Sequence, residues 1–198
     1  MNLPHRKMFG ISLIAAPLFS AASTFYWLDD GQYSVTAAKL LIVSMVFWIT
    51  GFVGVFRLLE DRTPRYAAWG LWVAVYGAVC GGAGFAFLGL FMELFGVAHD
   101  VAIDALNEHP LMAEAVFWIG GAMFPLSLLV LGIVLAGTRI LPPWLGILLA
   151  LSGLLFPVAR IPRIQWLAHL VDLAMLLPMV YLGWRMRSTD EPTVANAS

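Results

Sequence analysis

The chain has 198 residues, of which 61% are hydrophobic and only 12% are charged, and its mean hydropathy is +0.87. A soluble domain carries about twice that share of charged residues, and its interior is too small to bury so much apolar surface. The composition therefore excludes an ordinary soluble domain and indicates a protein that lies in the lipid bilayer. The formal net charge of −1 leaves no basic surface for nucleic acid.

Six apolar stretches are long enough to cross the hydrocarbon core as helices, which takes about 20 residues each. Their apolar residues are continuous and do not alternate with period two, which favours helices over a β-barrel. We therefore predict an all-α fold, a polytopic transmembrane bundle of about six spans. The predicted spans are residues 8–28, 36–56, 67–92, 114–137, 142–160 and 163–185.

The first stretch follows a short basic segment, as the core of a signal peptide does. With about 20 apolar residues it is longer than such a core, so we expect an uncleaved first span. We predict a single transmembrane domain over residues 1–187 and a disordered polar tail over residues 188–198.

The basic residues predict the orientation. If the N-terminus is cytoplasmic, eight of the eleven Lys and Arg residues lie on the inner side and only Lys39, Arg160 and Arg163 lie outside. The positive-inside rule then favours both termini in the cytoplasm, which an even number of spans requires.

The segment between the third and fourth spans is longer than a turn. Asp100, Asp104 and Glu108 recur every four residues, and the apolar residues on the other side are Leu94, Val97, Ala98, Val101 and Ala105. This period predicts a short amphipathic helix on the outer surface, ended by Pro110. Two interpretations stay open for it, a solvated cap over the bundle and a lid over a site.

The third span contains Gly77 and Gly81, a G-x-x-x-G spacing that lets two helices approach closely. The spacing is common in membrane helices. We expect it to serve a contact within this chain, and a dimer contact is the alternative.

The last span carries the clearest candidate site. Gln165, His169 and Asp172 are spaced i, i+4 and i+7, so they lie on one helix face. With a helix start near Pro162, Asp172 is predicted about 15 Å along the axis, near mid-bilayer, where an unpaired carboxylate is expensive and marks a functional hypothesis. His169, one turn away, is the nearest candidate partner for it, and an arginine is the other kind of partner we consider.

Arg160 and Arg163 flank Pro162 at the outer mouth of this helix, against the positive-inside trend. Glu114, which begins the fourth span, is predicted to face the same mouth. The hypothesis is an outward-opening polar pocket with His99 or Glu93 as further members. Three roles stay open for it: a structural polar network, a pocket for a ligand or a proton, and a catalytic site. The six candidate site residues are Glu114, Arg160, Arg163, Gln165, His169 and Asp172.

Other chemistries lack their motifs. The sequence has no H-E-x-x-H, G-x-S-x-G, P-loop or C-x-x-C. Haem between helices needs histidines on two spans, but only His169 lies in one. We therefore predict no metal and no cofactor, and we assign no catalytic residue.

A basic loop joins the fourth and fifth spans, with the sequence Arg139-Ile-Leu-Pro-Pro-Trp144-Leu145-Gly146, and Ser152-Gly153 follows in the next span. Over residues 126–185 this pattern resembles an uncharacterised bacterial family of small six-helix integral membrane proteins, a domain of unknown function. The resemblance implies six spans and a bacterial inner membrane. It carries over no functional residues.

The preferred function at this level is an integral inner-membrane protein that binds or moves a small molecule or lipid through the polar pocket. The alternative is an accessory subunit that packs against a larger membrane complex, and a membrane-embedded enzyme is third. The expected partners are the bilayer, a small-molecule or lipid ligand, and a membrane-protein partner or a second copy.

The orientation gives a testable prediction. Reporter fusions at Ser198 should be active only when the reporter works in the cytoplasm, because both termini are predicted to lie there. Fusions near residue 104 should show the opposite pattern. An active periplasmic reporter at Ser198 would contradict the topology.

Overall fold

A computed structural model describes residues 3–29 and 31–188 of the chain. Most of the tail predicted to be disordered, residues 189–198, lies outside this part, and Ser188 is the last residue of the final helix. Among the described residues the regular structure is helical, apart from one isolated bridge between Trp27 and Tyr33.

Six helices are long and apolar enough to cross a membrane, so the prediction of a six-span helical bundle is confirmed. A seventh, short helix follows the third span. In chain order the helices are α1 (Leu3–Thr24), α2 (Val35–Leu59), α3 (Pro64–Phe95), α4 (His99–Asn107), α5 (Pro110–Gly137), α6 (Pro143–Arg160) and α7 (Gln165–Ser188). We call the end of the bundle that holds Thr24, α4 and the α6–α7 turn the distal end, and the end that holds both described termini the proximal end.

Local signals in the sequence set the helix starts and stops. The side chain of Ser34 caps α2 by accepting a hydrogen bond from the amide of Ala37. Helices α3, α5 and α6 each begin with a proline, whose missing N–H costs nothing at a first helical position. Helix α3 ends at Gly96, which has the left-handed conformation that favours glycine there.

The core lies between α2 and its neighbours. Trp48, Phe52 and Phe56 of α2 are fully buried, and Trp48 packs edge-on against Phe124 of α5. Helix α1 packs against α2 and α7, α3 against α2 and α5, and α6 against α5 and α7. This packing brings the distal ends of α1, α6 and α7 together.

The predicted amphipathic helix is present as α4, and Asp100, Asp104 and Glu108 are exposed as expected. Its buried face is different from the one the pattern suggested. Ala102 and Leu106 face the bundle, whereas Val101 is exposed. The helix packs on a small apolar cluster with Phe117 of α5.

Helices α3 and α5 cross where each contains a π-helical segment, residues Gly77–Ala83 and Glu114–Ile119. The glycines predicted to permit close approach lie in this crossing. A Cβ at Gly81 would overlap the carbonyl oxygen of Gly120, and one at Gly77 would overlap the backbone of Phe124. The G-x-x-x-G spacing therefore serves a contact within the chain, as predicted.

The crossing gives a testable prediction. Gly81→Ala should lower the free energy of unfolding by about 1–3 kcal/mol, because the methyl group meets backbone that cannot turn away. Gly84→Ala is the matched control in the same helix, since its nearest neighbour would be Val116 at an ordinary 3.6 Å. Thermal unfolding in one detergent measures both. Equal stability of the two variants would show that the crossing is looser than described.

Candidate functional site

The Asp172 side chain lies inside the bundle and is only 1% exposed. Helix α7 begins at Gln165, so Asp172 lies about 10 Å along the helix axis, between the distal end and the middle of the helix. Facing the interior is what its charge requires, because a carboxylate against lipid costs several kcal/mol.

The partner of Asp172 is Arg160, the last residue of α6. Nη2 of Arg160 lies 2.7 Å from Oδ1 of Asp172, and the Arg160 side chain is 8% exposed. A charge-assisted hydrogen bond of this length is strong. The pair links α6 to α7 at the distal end. The guanidinium also stands at the C-terminus of α6, where the helix dipole favours a positive charge.

Thr24, the last residue of α1, completes a three-helix junction. Its hydroxyl donates to Oδ2 of Asp172 at 2.7 Å and lies 3.2 Å from Nη2 of Arg160, which donates to it. The Gln165 side chain donates to the backbone carbonyl of Thr24 at 3.1 Å. One helix-end carbonyl without an intrahelical partner is thereby satisfied.

A ladder of hydroxyl groups continues from this junction into the bundle. The hydroxyls of Ser20 and Ser44 lie 2.7 Å apart, and Ser44 also donates to the backbone carbonyl of Ala16. The Trp48 indole donates to the Ser20 hydroxyl at 3.3 Å. These bonds join α1 to α2 with every named group paired, so this part of the network serves packing.

Two aromatic rings enclose the Arg160 guanidinium. Its Cζ lies 5.2 Å from the ring centre of Trp27 and 4.9 Å from that of Phe156, distances at which a cation is attracted to a ring face. The Tyr33 phenol also interacts electrostatically with the guanidinium. Even so, Nε and Nη1 of Arg160 and the indole nitrogen of Trp27 are buried without an acceptor among the described residues.

Arg163 is tied to the loop that joins α1 and α2. It donates to the backbone carbonyl of Gly31, and its Cζ lies 5.1 Å from the ring centre of Tyr33. Gly31 has φ +78°, and a Cβ there would lie 2.7 Å from Cβ of Arg163, so only glycine fits. Tyr33 thus lies between the two arginines.

His169 and Glu114 lie apart from this network. The His169 ring packs on the exposed Phe25 at 4.2 Å between centres, and neither oxygen of Asp172 receives a hydrogen bond from it. Glu114 is exposed at the start of the π-helical segment of α5 and forms no ion pair with the described residues. Of the six predicted site residues, the structure joins Arg160, Asp172 and Gln165 through Thr24 and places Arg163 beside them.

A cleft of about 240 Å³ opens at the distal end, beside the network. Tyr33 and Gln32 form one wall, and Gly89, Glu93 and His99 form the other. Glu93 and His99, named as further members of the predicted pocket, line it, whereas none of the six candidate site residues does. Tyr33 belongs to both the cleft and the arginine network.

Four residues of the site were not found from the sequence: Thr24, Trp27, Tyr33 and Phe156. Thr24 carries no charge and ends an apolar span, so it gave no signal. Trp27 resembled an interfacial anchor but is only 8% exposed, and Phe156 resembled ordinary core. The one sequence signal that bears on Trp27 is Arg160, because helix α6 contains no acidic residue that could pair with this arginine.

Neither the side chains that could bind a metal nor the comparisons with known proteins identify a ligand for this site. Within residues 3–29 and 31–188, no three His, Cys, Asp or Glu side chains come together as metal ligands. A family model described as a domain of unknown function matches residues 7–185. The searches of curated proteins and of solved structures found no match.

The buried pair gives a testable prediction. Asp172→Leu should lower the free energy of unfolding by about 3–5 kcal/mol, because it leaves the Arg160 charge buried without a counter-ion. The double variant Asp172→Leu/Arg160→Met removes both charges and should recover most of the loss. Asp104→Leu, on the exposed face of α4, is the control and should change little. A double variant as unstable as the single one would show that the pair itself does not set the cost.

Proposed function

The chain belongs to the DUF4386 family, a domain of unknown function, so we propose its function from its own side chains. We propose that it is a bacterial inner-membrane protein that binds or moves a small molecule or a lipid at its distal end. The proposed site consists of the distal cleft and the arginine network that shares Tyr33 with it.

One observation carries this proposal. A buried guanidinium whose Nε and Nη1 lack an acceptor among the described residues interacts with Tyr33, and Tyr33 lines a cleft that is open at the surface. A network that serves only to hold helices together gains nothing from unsatisfied donors, since each one costs free energy. Binding sites, in contrast, keep a few polar groups ready for a ligand in a largely apolar wall.

The distribution of basic residues sets the direction in which the cleft opens. Eight of the eleven Lys and Arg residues belong to the proximal side, which the positive-inside rule assigns to the cytoplasm. The distal cleft then faces the periplasm. A ligand therefore enters from the outer side of the membrane or from its outer leaflet.

An accessory role in a larger complex is the second candidate, and an aromatic stripe on α3 favours it. Phe87, Phe91 and Phe95 are exposed and stack on one another, with ring centres 6.3 Å and 5.9 Å apart. A row of rigid rings suits contact with another apolar helix. Lipid tails cover such a row equally well, so the cleft remains the stronger basis for a function.

Filling the cleft tests the proposal. Val97 lines the cleft, so Val97→Trp should occlude it, and the protein purified in a mild detergent should lose any small molecule or lipid that the wild type retains. Val101→Trp, on an exposed position of α4, is the matched control. Mass spectrometry of organic extracts measures the retained molecules at equal protein amounts.

A molecule present in the wild type and in Val101→Trp, but at least about tenfold reduced in Val97→Trp, is the expected result. Identical extracts from all three proteins would overturn the proposed role of the cleft. Both variants place a tryptophan at the same end of the bundle, so a general effect on detergent binding affects them equally.

A further inference from the structure

We infer that Arg160 binds an oxyanion, a carboxylate or phosphate group carried by the ligand. This inference rests on the proposed function and deepens it, because it names the chemistry that the distal site recognises. It is carried by the hydrogen bonds that the guanidinium makes and by those it leaves open.

A guanidinium has five N–H bonds. Nη2 of Arg160 uses its two, on Asp172 and Thr24. The three on Nε and Nη1 have no acceptor among the described residues, although the side chain is more than nine-tenths buried. The Trp27 indole N–H, on a ring 5.2 Å from Cζ of Arg160, also lacks an acceptor. By hydrogen-bond geometry, four N–H donors in one aromatic enclosure therefore lack an acceptor, and the Tyr33 phenol oxygen is the other polar group that interacts with the guanidinium there.

The missing partner must consequently be an acceptor, and an oxyanion offers several acceptor oxygens on one group. The local charge agrees with this choice. Arg160 and Arg163 lie on either side of Tyr33, and Asp172 neutralises only one of them. Among the described residues, Arg160, Arg163 and Asp172 sum to one positive charge, which an anion can balance, and arginine is the side chain best suited to carboxylate and phosphate groups.

The position of Tyr33 provides the route from the cleft. Its ring lines the cleft, packs edge-on against Trp27 at 6.0 Å and covers Arg163. Arg160 does not itself line the cleft, so an anion reaches it from the cleft only if the Tyr33 side chain rotates away. Asp172 stays fully hydrogen-bonded during such a motion, because its partners lie on α1 and α6.

Asp172 also tunes the affinity. Its carboxylate is 2.7 Å from the same guanidinium, so it repels an incoming anion. Asp172→Asn keeps one acceptor oxygen for Arg160, places an amide donor opposite the Thr24 hydroxyl and removes the repulsion, and it should bind the anion about tenfold more tightly. A residue that served only to hold the helices together would have no such effect on binding.

Arginine side-chain NMR tests the inference at the atom concerned. The protein, labelled with ¹⁵N-arginine in uncharged maltoside micelles, is titrated with inorganic phosphate while the Nε–H signal of Arg160 is followed. Arg160→Lys assigns that signal by its loss. Arg57, which is exposed and lies over Phe9 at the proximal end, is the control within the same spectrum. A second sample in phosphatidylglycerol nanodiscs, without added phosphate, tests a lipid headgroup as the source of the anion.

A saturable shift of the Arg160 signal, with no saturable shift of the Arg57 signal and tighter binding by Asp172→Asn, supports the inference. A shift in micelles identifies a soluble anion, and a shift only in nanodiscs identifies a lipid headgroup. An unchanged Arg160 signal in both samples overturns it, as does an unchanged affinity in Asp172→Asn.

If the cleft retains an uncharged molecule and Arg160 does not respond, the proposed function stands and this inference fails. If Arg160 responds and Val97→Trp does not change the retained molecules, this inference stands and the proposed role of the cleft fails.

Discussion

The cost of burying charge in an apolar bundle governs the distal end of this protein. A carboxylate at the depth of Asp172 requires a counter-ion, and that counter-ion comes from Arg160 on a different helix. The two groups meet only if α6 ends and α7 begins within a short turn, and Thr24 reaches them only if α1 ends at the same level. One electrostatic requirement thus fixes the relative heights of three helices.

The two members of the pair are not equally satisfied. Both oxygens of Asp172 accept a hydrogen bond, whereas only one of the three nitrogens of Arg160 donates to the described residues. The aromatic rings of Trp27 and Phe156 stabilise the cation without satisfying its N–H bonds, because a ring face attracts charge but is a weak acceptor. This imbalance separates the arginine network from the serine ladder below it, where each named hydroxyl is paired and the role is packing.

Much of the fold could be predicted from the sequence, because a span is a local property. Twenty apolar residues, a basic turn and an initial proline lie within one window of the chain, and the six spans and α4 follow from them. The site could be predicted only along a single helix. The i, i+4, i+7 spacing grouped Gln165 and Asp172, which both bond to Thr24, but it also favoured His169 as a partner, and that ring packs on Phe25 instead. Partners on other helices depend on the packing of the bundle, which the spacing within one helix does not reveal. For this reason Thr24 and Trp27 were missed, and Glu114 was placed at a site from which it is absent.

The two walls of the cleft differ in how firmly they are held. The wall that carries Tyr33 is fixed by the bond from Arg163 to Gly31 and by the short bridge from Trp27. The wall that carries Gly89 and Glu93 follows the π-helical segment of α3, where the regular i→i+4 hydrogen bonds are replaced. Since α4 continues from this second wall and packs on the start of α5, a displacement of α3 beyond Ala83 carries α4 with it. The arginine network, on α1, α6 and α7, stays in place. The cleft therefore lies between a wall tied to the α6–α7 turn through Arg163 and a wall that follows the π-helical segment of α3.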